Sequence, residues 1–135
     1  MKKAGYFLIS AALAGTDLFL KDNMERRKVP GLIKNTGFAG SRLKKYPNIV
    51  MMVSAVFTSM IALYIAFGKE SGKNSSIKKI GWSFVLGGAL SNSADRIRKN
   101  YVVDYIPIGK FVYNISDFFI YIGALIAAAA DFLEK

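Results

Sequence analysis

Four stretches of this chain are apolar enough, and about long enough, to cross the hydrocarbon of a bilayer. They cover residues 4–20, 47–68, 77–94 and 114–133. A helix rises 1.5 Å per residue, so roughly 20 residues span a core of ~30 Å. Lipid offers no partner to an unpaired peptide group, which leaves helices as the form these runs take. Pro47 suits the first turn of its helix, where its missing N–H costs nothing. The expectation is an all-α membrane protein, with residues 1–135 forming one polytopic domain. Composition agrees: 53% of residues are hydrophobic and mean hydropathy is +0.29. Lys2, Lys3 and a following Ala12-Leu13-Ala14 also resemble a secretory leader with its cleavage site. The three later runs, and Asp17 and Lys21 just beyond that site, favour a first helix that is retained.

The net charge of +10 raises the question of nucleic acid. Here the cations crowd the ends of apolar runs, as at Lys2 and Lys3, Lys44 and Lys45, and Lys78 and Lys79. That placement suits membrane phospholipid headgroups and argues against a nucleic-acid partner. The two loops on the side away from the termini hold more Lys and Arg in total but are longer, so their charge density is no higher and the positive-inside rule does not set orientation. The chain has no cysteine and no histidine. Thiol nucleophiles, thiolate metal sites and histidine bases or ligands are therefore excluded. Any chemistry falls to Asp, Glu, Lys, Ser, Thr, Tyr or the backbone, and no cofactor is expected. A hard cation on Asp95, Asp104 and Asp117 would want more oxygen ligands than these supply, so no metal is expected either.

Charge in or beside a bilayer core is costly and needs a reason. The third run ends Gly87-Gly88-Ala89-Leu90-Ser91-Asn92-Ser93-Ala94-Asp95-Arg96. Asn92 and Arg96 share a helix face, with Asp95 beside Arg96. Asp104 then sits inside the apolar and aromatic Tyr101-Val102-Val103-Asp104-Tyr105-Ile106. Asn114 and Asp117 lie one turn apart at the start of the fourth run. Two carboxylates sharing a desolvated site cannot both ionise easily, so one holds a proton while the other stays charged. Such a pair activates a water and polarises a peptide carbonyl. The bland alternative is that each Asp is an interfacial charge or a helix-start partner. Asp131 reads as interfacial. Tyr101, Tyr105, Phe111 and Tyr113 read as a headgroup-level aromatic belt, and Gly87-Gly88 as helix packing.

At these residues the chain resembles the lipoprotein signal peptidases, the signal peptidase II family. Asp17-Leu18-Phe19-Leu20-Lys21 resembles its D-x-x-x-K, and Asn35-Thr36-Gly37-Phe38-Ala39 its N-x-G segment. The glycine-rich end of the third run resembles G-G-A-x-G-N-x-x-D-R. Val102-Val103-Asp104-Tyr105-Ile106 resembles V-V-D-F-I, and Asn114-Ile115-Ser116-Asp117 resembles N-x-A-D. Ser91 stands in place of glycine, Ser93 of an aliphatic residue and Ser116 of alanine. The resemblance implies four transmembrane helices with a small extracytoplasmic β-rich cradle from about residues 22–46, where Gly37 and Gly40 let backbone approach substrate. It implies catalytic Asp104 and Asp117, and supporting or substrate-binding Asp17, Lys21, Asn35, Gly37, Gly88, Asn92, Asp95, Arg96 and Asn114. The implied activity is an aspartic endopeptidase in the bacterial inner or plasma membrane. It would cleave prolipoprotein signal peptides before a diacylglyceryl-modified cysteine. The alternative is a non-catalytic membrane binding or transport protein whose acids pair with Arg96 or carry protons.

Overall fold

The computed structural model describes residues 1–38, 42–69 and 71–135. Ala39 of the N-x-G segment and Gly40 lie outside these described residues. Four helices carry the fold: α1 (Lys3–Arg26), α2 (Pro47–Phe67), α3 (Ser75–Lys99) and α4 (Ile115–Phe132). Short strands β1 (Ile33–Asn35), β2 (Val102–Asp104), β3 (Ile106–Ile108) and β4 (Phe111–Tyr113) gather at one end of the bundle.

By length and composition, α2 and α4 are apolar enough to cross a membrane. Both turn large apolar side chains outward, among them Met52, Val56, Met60, Leu63, Ile122 and Leu125. A water-facing helix would show the reverse pattern. α1 and α3 are longer but carry buried polar groups instead: Ser10, Asp17 and Lys21 on α1, and Ser83, Ser91, Asn92 and Asp95 on α3. α3 packs against all three other helices, which explains why it reads as the least apolar. Its contact with α4 depends on absent side chains. A Cβ on Gly81 would come within 2.6 Å of Gly123 O and Ala127 N, and one on Gly88 would collide with Ser116 O.

Local signals set the ends. Pro47 opens α2, and Asn100 closes α3 in the left-handed region at φ 64. Asn114 caps α4 through a capping box with Asp117.

The cradle expected from residues 22–46 forms differently. α1 stays helical through Arg26, and among the described residues of that stretch β1 is the one named strand, with an isolated bridge between Phe38 and Arg42. β1 pairs antiparallel with β2, setting Asn35 opposite Val102 and Ile33 opposite Asp104. β3 and β4 form a hairpin turning at Gly109, φ +61. The reason lies at the end of α1. Asp22 and Glu25 face α3 and accept from Lys99 Nζ at 2.9 and 2.6 Å, which favours helix over strand there. The same ion pairs explain why α3 runs beyond residue 94.

Candidate active site

Asp17 and Lys21 of α1 and Ser91, Asn92 and Asp95 of α3 meet the strand end of the bundle in one network. It starts at Asp17 and Lys21, one helical turn apart and both fully buried. Lys21 Nζ lies 2.8 Å from Asp17 Oδ2 and 3.4 Å from Asp95 Oδ2. It also donates to Ser91 Oγ and Asn92 Oδ1, each at 2.9 Å. A lone buried ammonium would be very costly, and here two carboxylates and two neutral oxygens surround it.

Asn92 relays this arrangement. Its oxygen accepts from Lys21 and from Asn114 Nδ2 at 3.1 Å, and its amide nitrogen donates to Asp117 Oδ1 at 3.2 Å. Asn114 Nδ2 also donates to Asp104 Oδ1 at 2.9 Å. Asn114 N donates to Asp117 Oδ2 at 3.0 Å, while Asp117 N donates back to Asn114 Oδ1 at 3.0 Å. Asp104 takes a further bond on Oδ2 from Asn35 Nδ2 at 3.1 Å. Asn35 is itself aimed by Gly37 N, which donates to its Oδ1 at 2.9 Å.

Asp104 and Asp117 thus share one asparagine, although one sits on a strand and the other on α4. Burial pushes the Asp104 carboxyl up to about 7, and the negative charge of Asp117 adds to the rise. The bonds from Asn35 and Asn114 offset part of it. Burial, then the hydrogen bond to Asp17, also raise the Tyr105 hydroxyl, so it remains a donor.

The structure places the other motif residues as follows. Asp95 is not held by its neighbour Arg96. It faces Lys21, accepts from Val103 N at 3.2 Å and pairs with Arg98 at 3.2 Å, so it ties α3 to α1 and β2. Arg96 instead donates to Gly37 O at 3.1 Å and lies 5.3 Å from the Phe38 ring centroid. Gly88 makes no polar contact in this network and acts through the close α3–α4 packing. Asp131 pairs with Lys78, both partly exposed. Beside Asp117 opens a cavity of about 310 Å³ between α2, α3 and α4, lined by Phe57, Thr58, Asn92, Arg96 and Ile120 among others.

Sequence reasoning passed over three groups. Tyr105, read as part of an aromatic belt, donates to Asp17 Oδ1 at 2.6 Å and accepts from Ile115 N at 3.2 Å. Ser91 and Ser116 donate to Asp17 Oδ2 at 2.7 and 2.5 Å. The available signal was chemical: each hydroxyl falls in an otherwise apolar or small-residue motif position.

Fold and site together define a helical membrane protein in which a buried carboxylate, Asp104, and a half-buried one, Asp117, meet at one end of the bundle. The fold is similar to that of a bacterial membrane enzyme solved by the in meso method at 2.3 Å resolution. The TM-score is 0.77 and the identity 19%, with 94% of this chain and 87% of that one covered. A second such enzyme, at 1.9 Å resolution, gives 0.73 and 18%, covering 94% and 92%. Residues 12–133 match the family described as Signal peptidase (SPase) II. The lipoprotein signal peptidase of Enterococcus faecalis is 32% identical over 136 residues, covering 89% of this chain and 83% of that protein. That of Mesorhizobium japonicum is 36% identical over 95 residues, covering 67% and 55%. The chain belongs to the signal peptidase II family, a family of peptidases.

Proposed function

We propose that this chain is an aspartic endopeptidase that removes signal peptides from prolipoproteins, cleaving before a lipid-modified cysteine. The observation that carries the reading is the Asp104–Asn114–Asp117 unit, with Asp104 and Asn114 buried and half-buried Asp117 lining a largely apolar cavity. One carboxylate takes a proton from water, and the water oxygen attacks the scissile carbonyl carbon. The other, protonated, donates a hydrogen bond to the carbonyl oxygen. As the C–N bond breaks, the proton passes to the leaving amine. The raised Asp104 carboxyl suits this division, because one member of the pair keeps its proton near neutral pH. Asn114, shared by both, holds them in register through the cycle.

The cavity between α2, α3 and α4 has the apolar lining a signal peptide or an acyl chain would need. Arg96 lines it, and its Nε is buried without a hydrogen-bond partner among the described residues. That N–H is suited to a substrate carbonyl. In this reading all four helices cross the membrane, with α1 and α3 turning their polar faces inward. Both termini face the cytoplasm, and the strand end meets the outer leaflet, where exported precursors emerge.

The test is cleavage of a purified diacylglyceryl-modified prolipoprotein by the purified protein in detergent. Wild type should release the signal peptide, with and without a strong chelator. No product at any pH between 5 and 8 would set the reading aside in favour of a non-catalytic membrane protein.

A further inference from the structure

Three hydroxyls from three parts of the chain converge on one buried carboxylate. Ser91 on α3, Tyr105 between β2 and β3, and Ser116 on α4 all donate to Asp17. In the motifs these segments resemble, the same positions hold glycine, phenylalanine and alanine. The three departures are scattered in sequence and meet at two oxygen atoms in space. A fully buried carboxylate needs donors on both oxygens, and three hydroxyls with Lys21 provide them.

Tyr105 does more than satisfy Asp17. It follows Asp104 directly, and its hydroxyl oxygen accepts from Ile115 N, the first residue of α4. Asp117 lies two residues further on. One phenol therefore joins the strand carrying Asp104, the helix start carrying Asp117 and the fixed point Asp17 on α1. Ser116 ties the same α4 turn to the same fixed point.

We propose that the Tyr105 hydroxyl is a positioning group that sets the spacing of Asp104 and Asp117, with Ser116 bracing the α4 side. The proposal rests on the aspartic-peptidase reading above. The other charged groups acting on the pair are Asp17 and Lys21 on α1 and Arg96 on α3, itself beside Asp95, and all of them remain in the test variants.

The experiment compares Tyr105→Phe with wild type and with Ser10→Ala. Ser10 is a buried hydroxyl on α1 that donates to Ser83 O, away from the site. Tyr105→Phe should lower kcat about tenfold with KM within about twofold, since small misplacements of reacting groups are costly. Its pH–rate limbs should also move. Ser10→Ala should lower the melting temperature and leave kcat, KM and the pH profile unchanged. Carboxyl carbon NMR gives a second readout: the Asp104 titration midpoint should shift in Tyr105→Phe. If Tyr105→Phe does not accumulate, Ser116→Ala is read the same way, with a smaller loss of about threefold in kcat. A variant that melts earlier but keeps wild-type kcat, pH profile and Asp104 midpoint overturns the proposal. Failure of the peptidase reading would show separately, as absent cleavage by wild type, and the Asp104 midpoint would still decide the coupling.

Discussion

Asn114 Nδ2 lies 2.9 Å from Asp104 Oδ1, and the same residue exchanges two hydrogen bonds with Asp117. A helix cap and a carboxylate bridge are therefore one side chain. This gives a separable expectation. Asn114→Ser keeps a capping oxygen but loses the amide that reaches Asp104 and Asn92. Asn114→Ala loses the cap as well, at about 1 kcal/mol. Cleavage should fall at least tenfold in both, and the melting temperature should fall further in Asn114→Ala. Wild-type cleavage by folded Asn114→Ser would remove the bridge from the mechanism.

Asp104→Asn and Asp117→Asn should each abolish cleavage and leave an inserted, folded protein. Asn keeps the shape but exchanges no proton, and acid or base catalysis contributes about 10²–10⁴-fold. The double variant should be little slower than either single one, because the pair acts as a unit. Single-turnover cleavage, with melts as the folding control, makes the measurement. Near wild-type turnover by either folded single variant would refute the two-carboxylate mechanism.

The raised Asp104 carboxyl carries a stability signature. Its ordinary value is 3.8 and it lies at about 7 in the fold. Between those values the folded state binds more protons than the unfolded one, so stability falls as pH rises through the window. This contribution is fully present below about pH 4 and is lost as pH rises through about 7. Asp104→Asn lacks it, so the variant's melting temperature should gain on wild type from pH 4 to pH 8. Parallel curves would show that Asp104 is not held up by its surroundings.

Lys21→Met should be among the most damaging single changes. It leaves Asp17 and Asp95 buried beside an apolar side chain, and breaking a buried pair costs about 3–5 kcal/mol. Adding Asp17→Asn should recover part of the lost yield in membranes. A Lys21→Met protein that accumulates and melts like wild type would contradict the ion arrangement around Lys21.

Orientation is testable because the chain has no cysteine. Arg27→Cys should react with an impermeant thiol reagent on intact spheroplasts, and Lys73→Cys only after lysis. Both positions are exposed, at opposite ends of the bundle. The reverse pattern would invert the proposed topology.

Apolar runs, the absence of His and Cys, and the order of Asn and Asp residues were enough to read a helical membrane protein of this family. They are properties of the chain alone: span length follows from rise per residue, and residue types bound the chemistry. The Asn114–Asp117 cap was also legible, because its partners are three residues apart. Which distant atoms meet was not. Asp95 answers to Lys21 rather than to its neighbour Arg96, since a helix turns adjacent side chains about 100° apart. The cradle strands come largely from 102–113, because the α1 extension is held helical by Lys99 across the bundle. Tyr105, Ser91 and Ser116 became one group only once four segments packed around Asp17. Burial decided their role: a carboxylate removed from water selects every donor within reach, and reach is set by the tertiary fold.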